Sequence, residues 1–306
     1  MRALARYWEL TLTAPAGATE GLTNFLWETG ALGVVEEERP GEPPELRAFF
    51  PETMPPAILT EHVTAYTDGL AALGFGAIGR PRVVSLEDSG WADAWREHFR
   101  PIAVGRRFVI APPWELATLD ATSRSGRVVL VIEPGRAFGT GHHGSTAGCL
   151  EAIERVVERE TPSHAVDLGT GSGILAIALA RVGVSAVLAI DEDPDAIAAA
   201  AANAVRNDVA GRVSCRVDDA ATMDVAPAPG AVPAPLVVAN LITAAHRSLA
   251  SRYARYVTAG GALILGGILD AEAEEVERML AADAWRRRDT ITREGWSTLV
   301  LEPGDR

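Results

Sequence analysis

Residues 165–177 read AVDLGTGSGILAI and combine an apolar strand, a turn rich in glycine and the start of a helix. Gly169, Gly171 and Gly173 let the backbone turn sharply and let a ligand approach it closely. The helix that follows Gly173 offers free N–H groups in its first turn. This arrangement is typical of a nucleotide-like cofactor site at the carboxyl end of the first strand of a doubly wound α/β sheet.

The spacing of the glycines narrows the choice of cofactor. A dinucleotide fingerprint, G-x-G-x-x-G, requires a third small residue at position 174 or 176, where the chain has Ile174 and the weaker Ala176. The observed order is Asp-x-Gly-x-Gly-x-Gly, beginning at Asp167. It resembles motif one of class I S-adenosylmethionine-dependent methyltransferases, whose cofactor carries a sulfonium and an α-amino group but no pyrophosphate. The carboxylate of Asp167 suits these cationic groups. The alternative is that the glycines form only a tight turn and bind no cofactor.

An acid follows the next predicted strand. Residues 185–190 are mostly apolar and lead to Asp191, about 20 residues after the glycine turn, where a ribose diol is usually held. Asp193 and Pro194 predict the N-cap and first turn of an alanine-rich helix that extends through Ala204. The alternative is that Asp191 only caps this helix, but the order of strand, glycine turn and acid favours ribose binding.

Length and composition limit the class of protein. The chain has 306 residues, 48% of them hydrophobic, which is enough for one large or two modest domains with a sizeable core. The sequence shows neither an apolar run that could span a bilayer nor a signal-peptide pattern, so we expect a cytoplasmic protein that does not bind membranes. The net charge of −13 argues against nucleic-acid binding through a basic surface and suits a basic protein partner. Cys149 and Cys215 lack disulfide-framework or metal-ligand spacing, and each is expected to pack as a small apolar residue.

Residues 1–86 predict a small α+β domain. The order strand–helix–strand–strand–helix–strand is the ferredoxin-like, split βαβ plan. A connection over 87–106 follows, in which an aromatic stripe between Trp91 and Phe99 marks one face of a short helix. Residues 107–306 form the next domain. The predicted elements of the first domain are strand 7–13, helix 19–29, strands 31–37 and 46–50, helix 55–73 and strand 82–86.

The second domain alternates strands with helices, which implies a parallel sheet flanked by helices. An antiparallel pair at the C-terminus resembles the methyltransferase version of that sheet. Besides the strand before the glycine turn, the predicted elements are strands 108–111, 128–132, 187–190, 213–217, 236–239 and 262–265, helix 145–159, and the final pair 290–291 and 297–301.

A glycine-rich loop, PGRAFGTGHHGST, occupies residues 134–146 before the helix. It is long for a mere connector, and we expect it to cover the cofactor. Ser145 or Thr146 is placed to cap the helix. His142 and His143 have no acid or cysteine at ligand spacing, so we expect no metal site there.

A second candidate for the chemistry is Asn240, which ends the buried strand LVVAN at 236–240. Its amide carbonyl can accept a hydrogen bond from a substrate amine and so aim the nitrogen lone pair. Transfer of a methyl group to a neutral amine depends largely on such positioning. The alternative is a turn-forming asparagine after a strand.

Three motifs occur here in the order of one known family: FGTGHHGST at 138–146, DLGTGSGILAI at 167–177 and VVANL at 237–241. Together they resemble the bacterial PrmA-type methyltransferases, which modify large-subunit ribosomal protein eleven. The likeness covers nearly the whole chain. Further matching stretches are 91–96, 108–114, 266–269 and 294–296.

The resemblance implies substrate recognition by residues 1–86 and catalysis by residues 107–306. It implies methyl transfer from S-adenosylmethionine to lysine side-chain amines and the N-terminal α-amine of the ribosomal protein. Apart from the resemblance, we expect a monomer that does not bind nucleic acid directly. Asn240 is the candidate catalytic residue. The predicted cofactor-binding residues are Thr140, Thr146, Asp167, Gly169, Gly171, Gly173, Asp191 and Asn240.

The chain departs from the family pattern at Gly144, usually proline or another non-glycine residue, and at Ser145, usually threonine. We expect these changes to loosen the loop. Three alternatives remain open: a methyltransferase of another protein or a small amine, a nicotinamide-dependent oxidoreductase on the same sheet, and a cofactor-binding module without catalysis. The absent third glycine argues against the oxidoreductase.

Overall fold

The computed structural model describes residues 6–31, 33–37, 43–72, 74–87, 99–119, 125–134, 144–223 and 232–304. The chain divides into two compact units, Met1–Arg100 with Pro134–Arg136, and Pro101–Glu133 with Ala137–Arg306. In the described residues, the helices are all too short or too polar to cross a membrane.

The first unit is a four-stranded antiparallel sheet with two helices on one face. The strand order is β2-β3-β1-β4, which confirms the predicted ferredoxin-like plan. Leu10 and Leu12 of the central strand β1 pack against Leu22 and Leu59 of the helices, because alternate residues of a strand share one face. The elements are β1 (Arg6–Thr13), α1 (Ala16–Glu28), β2 (Gly33–Glu37), β3 (Glu45–Pro51), α2 (Pro56–Ala72) and β4 (Arg82–Glu87).

The second unit is built on a seven-stranded sheet in the order β10-β9-β8-β11-β12-β14-β13. The five strands from β10 to β12 are parallel, and β14 is antiparallel to both of its neighbours. The predicted doubly wound sheet with an antiparallel end is therefore confirmed. Its strands are β8 (His164–Leu168), β9 (Ala186–Asp191), β10 (Val213–Val217), β11 (Ala234–Asn240), β12 (Val257–Leu269), β13 (Trp285–Arg293) and β14 (Trp296–Pro303).

Helices cover both faces of this sheet. Ala165 and Val238 point into one hydrophobic core, and their chain neighbours Val166 and Val237 point into the other. Burial on both faces explains why the central strands are apolar throughout. The α-helices of the unit are α3 (Gly144–Arg159), α4 (Ile174–Arg181), α5 (Pro194–Arg206), α6 (Thr243–Leu249), α7 (Tyr253–Tyr256) and α8 (Ala273–Ala282).

A separate three-stranded sheet differs from the sequence expectation. The predicted strands 108–111 and 128–132 do not join the large sheet; they form β6 (Phe108–Ala111) and β7 (Val128–Val131) of a small sheet with β5 (Ile102–Val104). Glu154 of α3 holds the β5–β6 turn, since its carboxylate accepts from the backbone N–H of Arg106 at 2.9 Å. Alternation along the chain could not show which sheet a strand joins.

Strand β12 is much longer than the predicted strand 262–265. The glycine pairs 260–261 and 266–267 mark strand ends by composition, yet both lie within the strand. Glycine inside a strand often marks a close backbone approach, and Gly266 and Gly267 show such approaches below. The predicted helix around Trp91 lies in 88–98, outside the described residues; Phe99 is buried.

Candidate functional site

The glycine turn after β8 has the backbone conformation that only glycine adopts without strain. Gly169, Gly171 and Gly173 have φ angles of +70°, +53° and +83°. A Cβ atom at Gly173 would lie 3.0 Å from Ala200 Cα, and one at Gly169 would lie 2.3 Å from Leu241 Cδ2. The turn is therefore closely packed as well as sharply bent.

Asp167 lies under this turn and is fully buried. Its Oδ2 accepts hydrogen bonds from Thr170 Oγ1 at 2.7 Å and from the backbone N–H of Ala176 at 3.1 Å. Its Oδ1 is buried and has no hydrogen-bond partner among the described residues. Burial raises the pKa of Asp167 to about 7, against the two hydrogen bonds, which lower it; the charge of Asp191 raises it further.

Asp191 supports the glycine turn from the adjacent strand. Its Oδ2 accepts from the backbone N–H of Gly171 at 2.9 Å, and its Oδ1 accepts from that of Asp193 at 3.1 Å. Asp193, as predicted, caps α5 by accepting from the N–H of Asp195 at 2.8 Å. Asp193 is therefore the N-cap of α5, while Asp191 links the glycine turn to the residue that caps the helix.

Asn240 is tied to the helix α3 by its amide nitrogen. Asn240 Nδ2 donates to Thr146 Oγ1 at 3.3 Å, and Asn240 Oδ1 is buried without a hydrogen-bond partner in the described part of the chain. Gly266 is the register partner of Asn240 on β12. A Cβ atom at Gly266 would lie 2.3 Å from Cys149 Sγ and 3.0 Å from Asn240 Oδ1. The backbone of Gly266 therefore packs closely against the side chains of Asn240 and Cys149, and a larger residue would not fit at 266.

The predicted residues of β8, β9 and β11 share one edge of the sheet. Leu168 pairs in register with Ile190 on β9 and with Ala239 on β11, so the residues at the carboxyl ends of these strands lie side by side. Asp167 with its glycine turn, Asp191 and Asn240 are brought together in this way. Thr146 joins them through Asn240.

The start of α3 approaches the β13–β14 turn closely. A Cβ atom at Gly144 would lie 2.9 Å from the carbonyl oxygen of Arg293 and 3.1 Å from Glu294 Cβ. Arg293 also forms an ion pair with Glu151 of the same helix. Glycine at 144 is suited to this contact. The expected loosening concerns the loop, of which residues 135–143, including Thr140, His142 and His143, lie outside the described residues.

Two asparagines were not predicted from the sequence: Asn203 of α5 supports the glycine turn, and Asn207 at the end of α5 binds the strand β7. Asn203 Nδ2 donates to the carbonyl oxygen of Ser172 at 2.9 Å, and its Oδ1 accepts from the N–H of Glu133 at 3.2 Å. Asn207 Oδ1 accepts from the N–H of Val131 at 2.8 Å, and its Nδ2 donates to the carbonyl oxygen of the same residue. The sequence signal for them is a pair of asparagines four residues apart, one within the alanine-rich helix and one just after its end.

A second omission is the acidic pair Asp218 and Asp219. It follows β10 at the same sheet edge, and the backbone N–H of Asp218 donates to the carbonyl oxygen of Asp191 at 2.9 Å. Asp219 Oδ1 accepts from the N–H of Ala221 at 2.7 Å. The rule that singled out Asp191, an acid just after a strand, applies to this pair as well.

The strand order, the glycine turn and the acid at the end of β9 define the methyltransferase class of doubly wound α/β proteins. Residues 6–303 match the model of the family described as ribosomal protein L11 methyltransferase (PrmA). The chain belongs to this family. The resemblance found in the sequence is thereby confirmed, and the oxidoreductase alternative has no support from the match.

Relatives and a solved structure agree with the match. The chain is 33% identical to the ribosomal protein L11 methyltransferase of Trichlorobacter lovleyi, over 92% of this chain and 97% of that protein. It is 37% identical to the one of Mesorhizobium japonicum, over 88% and 96%. The crystal structure of the ribosomal protein L11 methylase of Lactobacillus delbrueckii subsp. bulgaricus has a TM-score of 0.60 and 26% identity, over 68% of this chain and 100% of that chain.

Proposed function

We propose that this protein transfers methyl groups from S-adenosylmethionine to ribosomal protein L11, at lysine side-chain amines and the N-terminal α-amine. The observation that carries the chemistry is a pair of buried oxygens at one sheet edge, Asp167 Oδ1 and Asn240 Oδ1, which have no hydrogen-bond partner in the described residues. A buried acceptor without a donor is costly, so both positions suit a ligand that supplies N–H groups. The cofactor and the substrate each carry an amine.

The residues around the glycine turn fit the cofactor. Asp167 offers an acidic oxygen for its cationic part, and glycine at 171 keeps the turn free of a side chain at that position. Asp191 lies where a ribose diol is usually held, although its oxygens already accept two backbone N–H groups. Each carboxylate oxygen has a second lone pair, so these bonds do not exclude ribose hydroxyls. When bound, S-adenosylmethionine supplies an electrophilic methyl group on its sulfonium.

Asn240 would orient the substrate amine. Its Nδ2 donates to Thr146, which leaves Oδ1 as the acceptor of the amide that has no partner in the described residues. Oδ1 would accept one N–H of the neutral amine and leave the nitrogen lone pair free to point at the methyl group. Transfer produces an ammonium group, which loses its proton to solvent. Positioning of this kind supplies much of the rate.

The proposal gives the two domains different roles. We assign substrate recognition to residues 1–86 and methyl transfer to residues 107–306, with 87–106 as the connection. The separate compactness of the two units supports a division near residue 100. A variant that begins at residue 87 should keep its thermal stabilisation by S-adenosylhomocysteine and lose methylation of protein L11. Full activity of that variant on the protein would contradict the assignment.

The expected partners follow from charge. A chain with net charge −13 attracts a basic protein, and repulsion from phosphates disfavours direct binding of nucleic acid. Action as a monomer stays a prediction. A ribosomal protein substrate places the proposed reaction in the cytoplasm.

Intact-mass spectrometry of unmethylated protein L11, incubated with this enzyme and S-adenosylmethionine, tests the proposal. We expect mass gains in steps of one methylene unit, and fragmentation then locates the modified amines. The enzyme contains no lysine, so every methyl-lysine in the mixture comes from the substrate. No gain from an enzyme that binds the cofactor would reject protein L11 as the substrate and leave another protein or a small amine.

A further inference from the structure

His246 is a buried histidine that the proposed chemistry does not use. It lies on α6, six residues after Asn240, and is fully inaccessible to solvent. Its Nε2 lies 2.8 Å from the carbonyl oxygen of Gly266, and its Nδ1 lies 2.7 Å from the hydroxyl of Tyr253. Burial of a polar ring is unfavourable unless its nitrogens are hydrogen-bonded, and both nitrogens of His246 have partners.

The partners determine the proton positions on the ring. A carbonyl oxygen can only accept, so Nε2 carries the proton and donates to Gly266. Nδ1 then has a lone pair, and the hydroxyl of Tyr253 donates to it. Burial lowers the pKa of His246 to about 4, against the backbone carbonyl groups of Gly266 and Leu241, which raise it, so the ring is neutral at physiological pH.

The carbonyl that His246 holds belongs to the register partner of Asn240. Gly266 faces Asn240 across β11 and β12, and its carbonyl oxygen also accepts from the backbone N–H of Leu241 at 3.2 Å. The next residue, Gly267, is packed so closely that a Cβ atom would lie 2.3 Å from the carbonyl oxygen of Leu241. A shift of the Gly266 peptide therefore reaches the Asn240–Leu241 backbone directly.

We propose that His246, oriented by Tyr253, is a positioning residue that fixes the Gly266 peptide and through it the amide of Asn240. His246 touches neither cofactor nor substrate in this account. The expected effect on kcat rests on the proposed methyl transfer. The expected effect on the position of the Asn240 amide rests on the hydrogen bonds alone. The two consequences can be measured separately.

The structural test follows the side-chain amide of Asn240 by NMR in the whole, isotope-labelled protein, with the signal assigned by its loss in Asn240→Ala. His246→Leu removes both ring nitrogens at similar volume and should shift or broaden this signal. His246→Gln keeps a donor and an acceptor and should restore it. Tyr253→Phe should move it in the same direction by a smaller amount. Tyr256→Phe is the matched control, since that hydroxyl donates to the carbonyl of Ala220 instead.

The kinetic test separates kcat from binding with protein L11 as substrate. We expect His246→Leu to lower kcat about 10-fold and to leave the dissociation constant of S-adenosylhomocysteine within about twofold, with His246→Gln close to wild type. If His246→Leu does not fold, Tyr253→Phe and His246→Gln still report on the amide signal.

An Asn240 signal that stays unchanged in His246→Leu, or in Tyr253→Phe where the leucine variant cannot be made, would overturn the inference. So would an active leucine variant with normal kcat that is only less stable. A wild-type enzyme that does not methylate protein L11, with the amide signal shifting as expected, would instead reject the proposed substrate and support the positioning role.

Discussion

The glycine turn after β8 and the Asn240 region after β11 are neighbours at one sheet edge, yet they are held in different ways. At the turn, Asp167 is bound by Thr170 and Ala176, which are three and nine residues away in the chain. Asn240 depends on Thr146, 94 residues away, and on the close approach of Gly266. The Asp167 side chain is therefore held by its own segment, whereas Asn240 is held by distant parts of the fold.

The two regions also differ in charge while sharing one feature. Each has a buried oxygen that lacks a hydrogen-bond partner in the described residues, an acidic one on Asp167 and a neutral one on Asn240. The acidic oxygen suits a cation, and the neutral amide suits an amine whose lone pair must stay free. A carboxylate in the place of Asn240 would favour an ammonium, which cannot attack the methyl group. The proposed reaction requires this difference.

The largest expected effect is a loss in the free energy of unfolding. It measures how strongly packing by distant residues holds the Asn240 region. Gly267 and Gly260 both lie in β12 with φ of +75°, but a Cβ atom at Gly267 would lie 2.3 Å from the carbonyl oxygen of Leu241, whereas Gly260 has open space. Gly267→Ala should reduce the free energy of unfolding by about 2–5 kcal/mol, from strain plus overpacking. Gly260→Ala, with strain alone, should cost about 1–2 kcal/mol. Urea unfolding measures both; equal losses would show that packing at Gly267 contributes nothing.

A pH dependence should distinguish the acidic region from the neutral one. The pKa of Asp167 is about 7 in the folded protein against an ordinary value of 3.8, so the folded state keeps this proton longer than the unfolded chain. Its contribution to the free energy of unfolding therefore falls as the pH rises from about 4 to about 7. Relative to Asp167→Asn, wild type should lose roughly 2–4 kcal/mol over this range.

Chemical denaturation at several pH values measures this difference, and the paired variant cancels the titration of the other acids. Asp167→Asn keeps the side-chain shape and an oxygen for Thr170 and Ala176. If the free energies of unfolding of wild type and variant change in parallel with pH across this range, burial does not perturb the pKa of this carboxyl.

Loss of the amide should affect turnover more than cofactor binding. Asn240→Ala is expected to lower kcat about 10²-fold, because the amine is then misoriented, with little change in the dissociation constant of S-adenosylhomocysteine. Thr146→Val removes only the acceptor of Asn240 Nδ2 and should give a smaller decrease. Rates come from methylation of the full protein substrate and affinities from calorimetry. A normal rate for Asn240→Ala would assign this residue to structure alone.

The smallest effect is expected at the acid after β9. Asp191→Ala should weaken binding of S-adenosylhomocysteine by about 1.5–3 kcal/mol, through lost hydrogen bonds to ribose and to the turn. Asp193→Ala is the control, since it removes the cap of α5 and should lower stability by about 0.5–2 kcal/mol without changing the affinity. Calorimetric dissociation constants that are the same for Asp191→Ala and wild type would remove Asp191 from the cofactor site.

Patterns within one segment predicted the fold well. The alternation of the first 86 residues gave the ferredoxin-like order, and the final antiparallel pair was found, although β13 and β14 extend beyond the predicted ranges. The separation of β5–β7 into their own sheet was not predictable, because hydrophobic alternation reports burial and not the neighbouring strand. The predicted strand 262–265 covers only the apolar middle of β12, which continues through the glycines on either side of it.

The sequence by itself determined the glycine turn, the acid beneath it and the succession of helices and strands along the chain, since these depend on backbone conformation and on contacts a few residues apart. Only the tertiary structure decided that Thr146 meets Asn240, that Gly144 lies against the β13–β14 turn, and that His246 reaches Gly266. Those contacts join residues whose separation along the chain carries no information about their distance in space. They form where packed helices and neighbouring strands bring specific side chains to the same edge of the sheet.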